Sequence, residues 1–210
     1  MKKLCALMLA AALCLLAACG APDLDSIETA VVEEEGFSFL RPAAWTETEP
    51  ASANGVCAFR SDAGDLSLEV VQELGAMEYY SLIELGDMVA ETVRDSVFAA
   101  EPESEERSRE NKYSATMRGE DAAGNEVVCR VDLFMPYESV HYYLIYLATP
   151  EAYQENSNIA DDILDGFTVT KSAEEMYQYI NDQRADAAAA EMDGAGSGDT
   201  PAEDGEDQQQ

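Results

Sequence analysis

Basic residues are scarce in this 210-residue chain: 12 lysines and arginines stand against 43 aspartates and glutamates, for a formal net charge of −31. Phosphate backbones are held by clustered Lys and Arg, so this shortage excludes a nucleic-acid groove. Histidine occurs once, at His141, which excludes any zinc site or catalytic scheme that needs two imidazoles. Three of the five cysteines fall before residue 20. Cys57 and Cys129 alone remain in the body of the chain, too few for a disulfide framework. There is no CxxC pair, no GxSxG elbow, no phosphate loop and no EF-hand spacing. Gly194, Gly196 and Gly198 imitate a dinucleotide fingerprint, but the sequence around them offers neither the strand nor the helix that such a loop requires. The residues therefore give no catalytic site, no metal and no cofactor, and no reaction is legible.

What is present begins at the N-terminus. Lys2 and Lys3 precede an apolar stretch, Leu4 to Leu16, which is too short to span a bilayer comfortably and has the layout of an export signal. It ends in Leu16-Ala17-Ala18-Cys19. This resembles the lipobox of bacterial lipoproteins, in which small residues fit the groove of a signal peptidase and the cysteine thiol takes up diacylglycerol. The resemblance implies a signal peptide over residues 1–18, cleavage between Ala18 and Cys19, and lipidation of Cys19. Two acyl chains, at about 0.8 kcal/mol per buried methylene, anchor a protein stably where one would be marginal. The location implied is the extracytoplasmic face of a cell membrane.

Charge is unevenly spread along the rest. Residues 20–35 carry six acids and no base, and residues 19–35 read as a flexible acidic tether holding the domain on the order of 20–25 Å from the lipid. Residues 185–210 hold eight acids, no base and no aromatic, the composition of a disordered tail. Between them, residues 36–170 have the size of a single domain that can bury a core, and 171–184 read as a terminal helix.

Within 36–170 the periodicity predicts strands at 36–40, 56–60 and 66–71. A helix follows from the capping box Ser81-Leu-Ile-Glu84 to Ala100, and the charged segment 101–110 reads as a loop. Strands follow at 112–119, 126–135 and 140–149, the last apolar on both faces and so placed inside the sheet. Thr149-Pro150 opens a second helix to about Leu164. Strand runs broken by helices predict an α+β fold, an antiparallel sheet of about six strands with helices packed on it.

Two sequence pieces carry a family resemblance. The opening Gly36-Phe-Ser-Phe-Leu-Arg-Pro-Ala-Ala-Trp45 and the closing Ile159-Ala-Asp-Asp-Ile-Leu-Asp-Gly-Phe167 are similar to the PsbP-like fold, including bacterial lipoproteins related to DcrB. The likeness spans residues 36–170 and implies an α/β/α sandwich used mostly for binding and assembly, usually without catalysis. It transfers no functional residue set.

Side-chain candidates remain. Cys57 and Cys129 read either as a cross-strand disulfide, allowed outside the cytoplasm, or as two buried thiols. His141 reads as a hydrogen-bonded core or edge residue. Tyr142 and Tyr146 share a strand face and are candidates for a ligand groove, whereas Trp45 reads as a core lid. Asp161, Asp162 and Asp165 cluster on the second helix, where a Ca²⁺ site competes with a merely solvated face. The reading that follows is a lipid-anchored, non-catalytic binding or assembly module of the cell envelope. Its partners are the membrane, through Cys19, and an envelope protein. A small-ligand or cation-binding receptor lipoprotein is the alternative, and an enzyme of unknown type the third.

Overall fold

The computed structural model describes residues 21–74, 80–137, 140–179, 181, 182 and 185. The chain divides into two units, Met1–Ser172 and Ala173–Gln210. In the second, residues 173–179, 181 and 182 are helical, and Gln178 Nε2 donates to Asp182 Oδ1 at 2.9 Å. Cys19, the cleavage position and the acidic stretch 186–210 lie outside the described residues.

In the first unit a seven-stranded antiparallel sheet has the order β3-β4-β5-β9-β8-β7-β6. Its members are β3 (Thr46–Thr48), β4 (Gly55–Arg60), β5 (Leu66–Leu74), β6 (Glu103–Arg109), β7 (Lys112–Glu120), β8 (Glu126–Tyr137) and β9 (Val140–Ala148). The strand that is apolar on both faces, β9, lies at the centre between β5 and β8. A second, three-stranded sheet joins β1 (Thr29–Glu34), β2 (Phe37–Pro42) and β10 (Thr168–Val169) in the order β1-β2-β10. Helix α1 (Leu82–Val97) packs on β7 and β8 from one side. Helix α2 (Pro150–Gly166) packs on β8, β9 and β2 from the other. The α+β sandwich expected from the residues is thus present, with more strands than the pattern predicts.

Both helix starts follow from their caps. Ser81 Oγ accepts the Glu84 amide at 3.3 Å while Glu84 Oε2 accepts the Ser81 amide at 2.9 Å, so two of the free donors of the first turn are satisfied. Thr149 Oγ1 accepts the Ala152 amide at 3.2 Å ahead of Pro150, whose missing N–H costs nothing at that position. The first helix stops at Val97 and not at Ala100, because Phe98 turns extended and bridges Asp121.

Two expectations are corrected. The tether read over residues 19–35 gives way to structure: Leu24–Ser26 form a 3₁₀ turn and Thr29–Glu34 pair with β2, Val32 opposite Phe39. Gly36, at φ 106°, makes the tight reversal between them, a conformation closed to most side chains. Two of the acids that suggest a tether, Glu33 and Glu34, belong to this edge strand, in which Val32 turns inward. The loop read over 101–110 is strand β6, paired along its length with β7 and exposed throughout. An edge strand with no buried face shows no alternation, and its charges guard the unpaired edge.

The side carrying α2 and the small sheet is closed by aromatics. Phe167 lies 5.0 Å from Phe37, 5.6 Å from Phe39, 5.1 Å from Tyr142 and 5.8 Å from Phe134, centroid to centroid. Phe39 in turn meets Phe59 edge-on at 6.1 Å. The sequence pieces at Gly36–Trp45 and Ile159–Phe167 therefore meet in one cluster, which explains why packing residues carry the resemblance.

Candidate binding groove

Strand alternation sends Val71, Tyr143, Ile145, Leu147, Cys129, Val131 and Leu133 to the α1 side of the large sheet, and Leu68, Val70, Tyr142, Leu144, Tyr146, Arg130 and Asp132 to the α2 side. On the first side α1 packs mainly on β7 and β8, and its Leu85 and Ala90 also cluster with Val71 of β5 and Tyr143 of β9. Tyr113 seats it: the ring lies against Gly86, where an added Cβ would come within 2.5 Å of it, and its hydroxyl donates to Asp87 Oδ1 at 3.0 Å.

Beyond Val71 and Tyr143, toward Ser67 and Glu69 of β5 and Leu147 of β9, no helix among the described residues covers the sheet, and a groove of about 630 Å³ remains. Its floor is Val71, Tyr143, Ile145 and Leu147. One wall is the α1 face from Met88 to Val97, and the other is the segment Ala51–Asn54. Glu69 Oε1 accepts the Ser52 amide at 2.7 Å and ties that segment to β5. Leu147 and Met88 are exposed, at 39% and 41%. Glu69 and Glu73 are the charged groups lining the groove. Burial, with the Glu73 carboxylate, holds the Tyr143 phenol above its usual range.

The candidates read from sequence lie elsewhere. Tyr142 and Tyr146 are fully buried on the opposite side of the sheet, where Gln72 Nε2 donates to Tyr142 Oη at 2.9 Å. They belong to the core and line no ligand groove. The pair is one residue out of phase: on the other face of β9, half-buried Ile145 and exposed Leu147 carry the open surface, while Tyr143 is buried under α1. Trp45 is buried, as a lid would be. Cys57 and Cys129 are both free. They point to opposite faces of the sheet with β5 and β9 between their strands, three spacings or about 14 Å, so no disulfide can join them. Burial pushes both thiols up to about 12, which makes them inert as nucleophiles. His141 is buried and, among the described residues, neither ring nitrogen has a hydrogen-bond partner. Burial lowers its pKa, so the hydrogen-bonded role expected of it is corrected.

The helix acids hold arginine and lysine in place of Ca²⁺. Asp161 lies 2.7 Å from Arg130 and 3.9 Å from Arg107, while Asp165 pairs with Arg109 and, at 3.3 Å, with Lys112. Asp162 accepts the Leu24 amide at 2.8 Å. Beneath them Arg130 Nε donates to both Asp132 carboxylate oxygens at 2.9 and 3.0 Å, with both side chains within 1% of complete burial. Burial raises the Asp132 carboxyl, and the adjacent guanidinium offsets this in part. Four of the eight basic residues between 36 and 170 thus converge on a recess of about 450 Å³ beside α2, where each meets a carboxylate. The recess ties α2 to the sheet.

No known protein family matches the chain, and no curated protein resembles it in sequence. Solved structures do resemble it in fold. Cyanobacterial PsbP (CyanoP) from Synechocystis sp. PCC 6803 aligns with 72% of this chain and 97% of its own, at a TM-score of 0.51 and 17% identity. The Saccharomyces cerevisiae Ran-binding protein Mog1p aligns with 70% of this chain and 97% of its own, at a TM-score of 0.55 and 12% identity. The domain is PsbP-like and Mog1-like in architecture.

Proposed function

We propose that this chain is a lipid-anchored, extracytoplasmic, non-catalytic module that binds an envelope protein through the groove between α1 and the β5/β9 half of the sheet. The observation that carries the binding role is that half-covered face: a contiguous apolar floor held open by a capped helix and a tethered loop. Exposed Leu147 and Met88 at the mouth of the groove offer an occupant apolar contact inside a concave site. His141 and both thiols, the side chains best suited to chemistry, are enclosed in the core.

The anchor is supported by Leu16-Ala17-Ala18-Cys19. Ala21 O accepts from Asn158 Nδ2 at 2.7 Å and the Leu24 amide from Asp162, so the chain is fixed to α2 within a few residues of Cys19. Five residues reach at most about 18 Å, so the lipid would hold the α2 side close to the bilayer. Mass spectrometry of the full chain expressed in a bacterium tests this. Expected is a membrane-bound form beginning at diacylated Cys19, lost in Cys19→Ala. An unacylated Cys19 in the soluble fraction would overturn the anchor.

A second reading, a small-ligand receptor, is favoured by the groove volume, which suits a ligand of drug size. A metabolite that raises the melting temperature and loses this effect in Leu147→Lys would support it over the protein-binding reading.

A further inference from the structure

We infer that the groove takes an amphipathic helix with basic residues, supplied by the partner and lying alongside α1. This rests on the binding role proposed above and names its occupant. Three observations carry it. The first is width. The open stripe over β5 and β9 is centred two strand spacings, about 10 Å, from the line of α1 over β7 and β8. Packed helices lie 8–10 Å apart. A second helix therefore fits beside the first and completes a layer that the chain leaves half built. Its apolar face would sit on Ile145 and Leu147, with its flank against Met88 and Val93.

The second is charge. Glu69 and Glu73 stand on one strand face two pleats apart and line the groove. Among the described residues no basic side chain lines it, and the whole chain carries −31. Lysines or arginines on the partner helix would meet these carboxylates, and an acidic helix would be repelled. The same repulsion opposes a second copy of this chain. The third is direction. Ala21 and Leu24, next to the proposed anchor, are fixed to α2, on the side of the sheet opposite the groove. The groove thus opens away from the bilayer that would hold Cys19, toward a soluble segment and not toward lipid.

The test uses the full chain in zwitterionic phosphatidylcholine nanodiscs, with empty nanodiscs as control. The probe is an 18-residue peptide with leucines at helical spacing and lysines elsewhere, carrying one photoreactive leucine and a fluorophore. Two companions replace its lysines with glutamates or break the helix with a central proline. The lysine peptide is expected to bind at least tenfold more tightly than either companion and to crosslink to α1 and to β9 around Leu147. Leu147→Lys, at an exposed position, is expected to weaken it at least tenfold. Glu73→Lys is expected to reverse the preference between the lysine and glutamate peptides. Equal binding of the proline-broken peptide, crosslinks outside the groove, or indifference to Leu147→Lys would overturn the inference. Cys19→Ala is expected to leave peptide binding unchanged, so loss of the anchor and loss of helix binding are read separately.

Discussion

The two faces of the large sheet are built from the same strands yet finished differently. On the α2 side the centre of the sheet is covered: Phe167 reaches Phe37, Phe39, Phe134 and Tyr142, and four cations meet three aspartates beside and beneath α2. On the α1 side cover reaches Val71 and Tyr143 but not the far end of β9, and Leu147 meets solvent. One face therefore holds the fold together, and the other holds surface in reserve. The difference assigns stability and binding to separate residues.

Substitutions can break that division in order of size. Phe167→Ala removes the ring at the centre of the closed face and is expected to cost about 3–5 kcal/mol, read by urea denaturation. Arg130→Met leaves Asp132 buried without its partner and is expected to cost a similar amount, about 3–5 kcal/mol. The double replacement Arg130→Met with Asp132→Leu is expected to recover much of that loss, since no charge is then stranded. Full loss in the double variant would show that the pair does more than neutralise itself.

On the half-open face effects should be smaller. Gly86→Ala drives a methyl into the Tyr113 ring and is expected to cost about 1–3 kcal/mol by overpacking, despite the better helix propensity of alanine. A gain in stability would mean that α1 is free to shift. At β9, beside Glu73 of β5, burial depresses the His141 pKa. The unfolded chain then binds a proton below about pH 6.5 that the folded chain refuses. Stability should fall as pH drops from 6.5 toward the lowered folded value, by up to about 1.4 kcal/mol per pH unit. His141→Phe should flatten that window. Leu147→Ala, on the open stripe, is expected to change stability by no more than about 0.5 kcal/mol.

Much of this architecture could be read from the chain because local rules govern it. The capping box at Ser81, the Thr149-Pro150 start and the two-sided apolar run of β9 each declare their element. The elements that escaped are those without a buried face. Strand β6 is exposed at every residue, and β1 turns only Val32 inward. The groove was illegible for another reason. Alternation shows that Tyr143, Ile145 and Leu147 share a face, but not that α1 covers Tyr143 and leaves Leu147 open. Likewise Arg130 and Asp132 stand opposite an apolar face, where solvent is the ordinary expectation, and only α2 makes that side an interior. Cys57 and Cys129 could be placed on strands but not three strands apart.

Carbene footprinting of the full chain tests most directly whether one face is closed and the other half open. Strong labelling of Met88 and Leu147, with Tyr142 and Phe167 protected, is the expected result. Protection of Met88 and Leu147 in the isolated chain, or equal labelling of both faces, would contradict it.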